Sequence, residues 1–126
     1  MNRLFVYGTL RPRASAYDLV AGSVVAHCPA VLIDYVLVGE GHRYPWCVES
    51  PGNEISGDLL WLRDVEATLA ALDSFEGVEE PDPEYRRVIG SILTQEGPST
   101  AWVYVGGHGM PPGTDPIFGG DWIASF

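Results

Sequence analysis

The sequence predicts an α+β fold, and two observations carry that expectation. Ten prolines and 15 glycines in 126 residues cut most of the chain into short apolar pieces of strand length. One segment alone, "RDVEATLAALDSFEG", repeats its apolar residues at helical spacing. One helix among several short strands is compatible with more than one roll or barrel, so these observations set the class and leave the architecture open.

The elements follow in chain order. Leu4–Tyr7 is bulky and apolar without polar alternation, which suits a short strand buried on both faces. Gly8 ends it, and a glycine there marks a place where the backbone turns tightly or a ligand approaches its N–H groups. A helical turn is expected at Ser15–Val20. Two apolar stretches, Ser23–Ala26 and Ala30–Val38, flank Cys28-Pro29. Gly39–Asn53, rich in Gly, Pro and polar residues, reads as a long loop. Glu54–Leu62 is a strand, Tyr85–Leu93 and Thr100–Val105 are two more joined by a turn at Gln95–Ser99, and "GDWIAS" near the C-terminus is placed to close the set.

In the helical segment Asp64 is a good N-cap, Glu66 lies in the first turn where the dipole favours an acid, and Gly77 is placed as the C′ residue. Val65, Leu69 and Leu72 form the apolar stripe. At about 100° per residue the next stripe position is Glu76, roughly 20° from Val65. A carboxylate on a core-facing stripe, at the negative end of the helix dipole, has its ionised form disfavoured. Such a group suits acid–base work near neutral pH. The competing possibility is that the helix ends early and Glu76 turns to solvent or pairs with Arg86 or Arg87. Asp73, Glu79, Glu80, Asp82 and Glu84 read as a solvated acidic rim.

Composition narrows the function. The chain is the size of one domain, 46% hydrophobic, and holds no apolar run near the roughly 18 residues of a membrane span. With no secretory signal pattern at its start, a cytoplasmic address is the expectation. Seventeen acids against seven arginines and no lysine give a net charge of −10, which opposes phosphate backbones and anionic membranes. Cys28 and Cys47 read as free thiols, and neither they nor His27, His42 and His108 have metal-ligand spacing. A Cys47/His42 nucleophile pair lacks any activating context around the thiol.

"LFVYGTL", "ISGDLLWL", "LDSFEG", "EYRR", "AWVYV" and the late "GDW" occur in an order that resembles the γ-glutamylcyclotransferase-like superfamily, nearest its short bacterial members and the γ-glutamylamine cyclotransferases. The resemblance covers nearly the whole chain. Thr9 stands where many relatives have serine, and "VEEPDP" widens the step from Glu76 to Tyr85.

The resemblance implies a single domain, residues 1–126, built as a small mixed β-barrel of about six strands with one main helix. It implies a cofactor-independent, metal-free enzyme acting on a small γ-glutamyl substrate. The substrate's own α-amine attacks the γ-carbonyl, releasing 5-oxoproline and a free amine or amino acid. Glu76 then matches the catalytic glutamate, Tyr7-Gly8-Thr9-Leu10 the loop that cradles substrate, and Tyr104 and Tyr85 aromatic positions of the cavity. Two alternatives accompany it: removal of a γ-glutamyl protecting group from a larger amine in a biosynthetic pathway, and a non-catalytic binding or partner module. The leaving amine would be contacted by the Gly39–Asn53 and Gly106–Gly120 loops.

Overall fold

A computed structural model describes residues 1–7, 18–39, 46–76, 78, 81, 85–106 and 115–116. Its elements are β1 (Arg3–Val6), α1 (Asp18–Ala21), β2 (Val24–Gly39), β3 (Trp46–Leu62), α2 (Val65–Glu76), β4 (Tyr85–Thr94), β5 (Gly97–Gly106) and the two-residue β6 (Asp115–Pro116). The strands form one sheet in the order β3-β1-β5-β4-β2-β6, and a further pairing of β3 with β2 closes five of them into a ring. β1 runs parallel to β5, with Leu4 opposite Trp102, and the other pairings are antiparallel. The expected mixed, barrel-like α+β architecture is therefore the one observed.

Strand alternation divides the apolar residues between two clusters. Phe5 and Tyr7 from β1 and its exit join Leu32, Ile55, Ile92 and Val103, one from each remaining strand of the ring, in the inner cluster. Leu4 and Val6 point the other way and pack with Leu60, Leu62 and Tyr104 under Leu69 and Leu72 of α2 and Val20 of α1. All four residues of Leu4–Tyr7 are buried, so β1 is covered on both faces as its composition indicates. The stripe of α2 is likewise the one expected, with Val65 packed against the same cluster.

Three expectations are corrected. Ser23–Ala26 and Ala30–Val38 are a single strand, because Pro29 pairs with Asp58 on β3 while β4 meets β2 only at Val31 and Leu32. A proline is tolerated where one edge of the strand needs no N–H donor. Gly39–Asn53 is not one long loop, since β3 starts at Trp46 and Cys47–Glu49 pair with Tyr35–Leu37. Its turn residues serve a bulge instead: the register passes from Ile33↔Glu54 to Tyr35↔Glu49, leaving Asp34 opposite residues 50–53. Asp34 takes a φ of 65° and its carboxylate accepts the Gly52 N–H at 3.0 Å, while Asn53 Nδ2 donates to Ser50 Oγ at 2.7 Å. The turn between β4 and β5 is shorter than expected, Gln95-Glu96, with Gly97 at a φ of 114° and Thr94 Oγ1 accepting the Glu96 N–H. The helical turn expected at Ser15–Val20 is observed at Asp18–Ala21, and "GDWIAS" lies outside the described residues. Among the described residues no helix is long and apolar enough to cross a membrane.

Gly57 is required by contact with β1. A β-carbon there would run into the Val6 carbonyl oxygen and come within 2.5 Å of Phe5 Cζ. Gly57→Ala should therefore cost about 1–3 kcal/mol, the usual penalty of overpacking a rigid site. Gly22→Ala, where nothing lies within 4 Å, should stay within about 0.5 kcal/mol of wild type. Urea unfolding of the two variants measures the difference, and equal midpoints would remove the close-approach explanation.

Candidate functional site

α2 and the exits of β1 and β5 meet at one end of the ring, and Tyr104 joins them. Tyr104 is buried on β5, and its hydroxyl donates to Asp73 Oδ1 at 2.7 Å, one turn from the end of α2. Its backbone carbonyl accepts the Tyr7 hydroxyl at 2.5 Å. Tyr7 immediately precedes Gly8, and Asp73 precedes Glu76 by three residues. One residue thus touches both segments that the family resemblance singles out.

Arg87 completes the group. On β4 it lies directly across from Tyr104, and its Nε and Nη2 donate to Asp73 Oδ1 and Oδ2 at 2.8 and 3.0 Å, a two-pronged match of guanidinium to carboxylate. Its Cζ sits 4.3 Å from the Trp102 ring centroid, a cation–π contact that fixes the guanidinium plane. Asp73 is therefore not on a solvated rim, because its side chain is 14% exposed and receives three hydrogen bonds. Partial burial pushes its carboxyl up, but the hydrogen bonds from Arg87 and Tyr104 and the Arg87 charge outweigh that and hold it below the usual aspartate value.

The backbone of Asp73 is engaged as well. The Val78 N–H donates to the Asp73 carbonyl at 3.0 Å, the six-to-one bond of a Schellman cap, and Val78 packs onto the cluster under α2. The helix runs through Glu76 and does not end early. The position of Glu76 follows Leu72 by four residues and Leu69 by seven, both of them buried. Its side chain, and Gly8, Thr9, Leu10 and Gly77, lie outside the described residues. Tyr85 opens β4, paired with Gly106 at the end of β5, and so stands at the same end of the ring as Tyr104.

Sequence reasoning named Tyr104 for the cavity, but it placed Asp73 on a solvated rim and offered Arg87 only as a partner for Glu76, so it missed the pairing of the two. A signal existed for Asp73, which lies roughly 80° from Val65 on the helix, at the border of the apolar stripe. Elsewhere, Cys47 is fully buried and burial pushes its thiol well above the ordinary range, which makes it a core residue and not a nucleophile. Burial likewise raises Cys28, assisted by the charges of Glu96 and Asp58. Among the described residues no three His, Cys, Asp or Glu side chains gather as metal ligands do.

The lowered pKa of Asp73 has a definite sign in stability. The unfolded carboxyl titrates near ~3.9, so the folded state's advantage is complete above that pH and is lost as pH falls through the lower folded value. Asp73→Asn should be less stable than wild type by about 1–3 kcal/mol at pH 7, and the gap should narrow below about pH 4. Denaturant melts at pH 7 and pH 3 decide this; a gap that is constant with pH would mean the charge contributes nothing.

Comparison with known proteins agrees with this architecture. The family model described as gamma-glutamyl cyclotransferase, AIG2-like, matches residues 4–124. A solved gamma-glutamyl cyclotransferase superposes with a TM-score of 0.69 at 23% identity, over 92% of this chain and 71% of that one. The uncharacterized protein PH0828 of Pyrococcus horikoshii gives 0.71 at 22% identity, over 98% and 92% of the two chains. YkqA of Bacillus subtilis gives 0.73 at 25% identity, with 96% of this chain matching 39% of that longer one. Comparison with curated protein sequences returns no match. A family match across nearly all residues, on a ring of strands whose β1 exit and α2 end are joined through Tyr104, makes the chain a member of the AIG2-like gamma-glutamyl cyclotransferase family.

Proposed function

We propose that the protein is a cyclotransferase that releases 5-oxoproline from a γ-glutamyl amine or γ-glutamyl dipeptide, without a metal or cofactor. In this reaction the α-amine of the substrate forms a bond to its own γ-carbonyl carbon, and the bond from that carbon to the leaving nitrogen breaks. One proton must leave the attacking ammonium and one must reach the departing amine. Glu76 takes the first and returns the second, a single carboxyl serving as base and then as acid. The backbone N–H groups of Gly8, Thr9 and Leu10, following Tyr7, bind the substrate and the developing oxyanion. Tyr85 and Tyr104 flank the bound glutamyl group. Because the reaction is intramolecular, holding amine and carbonyl together supplies much of the rate enhancement. The partner is a small molecule, since a net charge of −10 opposes binding to phosphate backbones and anionic membranes, and the address is cytoplasmic.

One observation supports the proposal above the others. Tyr104 bonds through its carbonyl to Tyr7 and through its hydroxyl to Asp73, which brings the start of the cradle segment and the carboxylate-bearing turn of α2 to one end of the ring.

Incubation of the pure protein with a panel of γ-glutamyl dipeptides and γ-glutamyl amines should release 5-oxoproline. A folded protein silent on the whole panel would point to a larger γ-glutamyl amine or to a binding module. Glu76→Gln should lower turnover by roughly 10²–10⁴-fold while keeping the unfolding midpoint of wild type, the pattern of a lost general base. Full activity in that variant would end the catalytic assignment. Gly8→Val, which blocks approach to the N–H groups, should cost about tenfold or more in kcat/KM. Wild-type kinetics there would remove the cradle.

A further inference from the structure

We infer that Asp73 is a positioning residue of this reaction: clamped by Arg87 and Tyr104, it fixes the last turn of α2, and with it the backbone of Glu76, relative to the exit of β1. The inference rests on the proposed activity and adds a role for Asp73 and Arg87 that the sequence alone does not assign.

Three observations combine. Asp73 is held at both ends, its carbonyl by the Val78 N–H and its carboxylate by Tyr104 and Arg87. The helix end is therefore capped and tied to the sheet through one residue. Second, the tie runs to the same Tyr104 whose carbonyl anchors Tyr7, so displacing Tyr104 moves both halves of the site together. Third, the helix end by itself does not favour an acid at position 73. The last turn of α2 holds Asp73 and Glu76 and no basic residue, against the preference of the dipole for cations there. Arg87 on β4 supplies the missing positive charge from across the junction, and Trp102 beneath it limits where that charge sits. An acid at position 73 is stabilised only through its strand partners, so its bonds hold the helix end at one place on the sheet. Three residues further on is close to one helical turn, so a tilt of the Asp73 turn is transmitted directly to the Glu76 backbone.

The test uses the full chain with Tyr104→Phe, Asp73→Ala and Asp73→Asn, measured where each is fully folded by near-UV circular dichroism. For the best substrate of the panel, Tyr104→Phe and Asp73→Ala should lower kcat by about tenfold or more with KM within about threefold of wild type, since misplacement of a catalytic group acts on the chemical step. Asp73→Asn, which keeps an acceptor for both partners, should recover part of the loss. Amide exchange at residues 74–78 should quicken in Asp73→Ala while that of the β2–β3 ladder stays unchanged. A rise in KM with kcat intact in Asp73→Ala would overturn the inference by making Asp73 a binding group and not a positioning one, and unchanged exchange at 74–78 would overturn it on geometry. Silence of the wild-type protein on the panel would instead overturn the proposed function, and the exchange measurement would still decide whether Asp73 fixes the helix end.

Discussion

The pairing of β3 along both of its edges, to β1 on one side and β2 on the other, is the constraint on which the remaining structure depends. It turns an open sheet into a ring, and a closed ring has an inside that only side chains can fill. Phe5, Ile55, Ile92 and Val103 supply that filling from different strands. Closure also leaves one outer face on which α2 can lie, which is why β1 is apolar on both sides. The Phe5 ring occupies the space a side chain at position 57 would need, so the glycine of "ISGD" follows from the same closure.

At the open end of the ring the balance is electrostatic. Two acids end a helix whose carbonyls already point that way, and a net charge of −10 offers little relief nearby. Arg87 meets this with a two-pronged bond to Asp73, and the bond also raises the affinity of the guanidinium for its proton. Because the pair is only partly buried, it keeps some solvation and avoids the large desolvation penalty of a fully enclosed ion pair. The hydroxyl of Tyr104 then gives the carboxylate a third donor and fixes which oxygen faces β5.

Much of this was legible in the sequence where the signal is local. β1, α2 with its stripe, β4 and β5 could be read within a few residues, because periodicity and caps act over one or two turns. Pro29 and the 46–53 segment were misread for the opposite reason: a strand there exists only because β2 supplies a partner ladder, and local composition favours turns. The pairing of Asp73 with Arg87 was hidden in a similar way. The two residues are 14 apart, on different element types, and an acid at the border of a helical stripe is indistinguishable from a solvated one until the strand opposite is known. Tyr104 and Tyr7 drew attention through the family resemblance, whereas Asp73 and Arg87 did not.

The bulge at Asp34 has a consequence for how the long β2–β3 ribbon carries its hydrophobic pattern. Before it, the even positions of β2, Ala30 and Leu32, face the inner cluster; after it the odd ones do, Tyr35 and Leu37. On β3 the odd residues, Cys47, Ile55 and Leu59, keep the inner face throughout. Asp34 is thus a phase shifter: one residue at positive φ inverts the parity of a strand without breaking it. Deletion of that single residue would make Ile33 and Tyr35 consecutive and keep Leu37 inward by plain alternation, whereas forcing residue 34 into regular extended backbone would turn the outer half of β2 inside out, exchanging Leu37 for Val36. The inner face of the outer half of β2 is therefore set by the backbone conformation of one residue, and not by any change in the apolar composition of the strand.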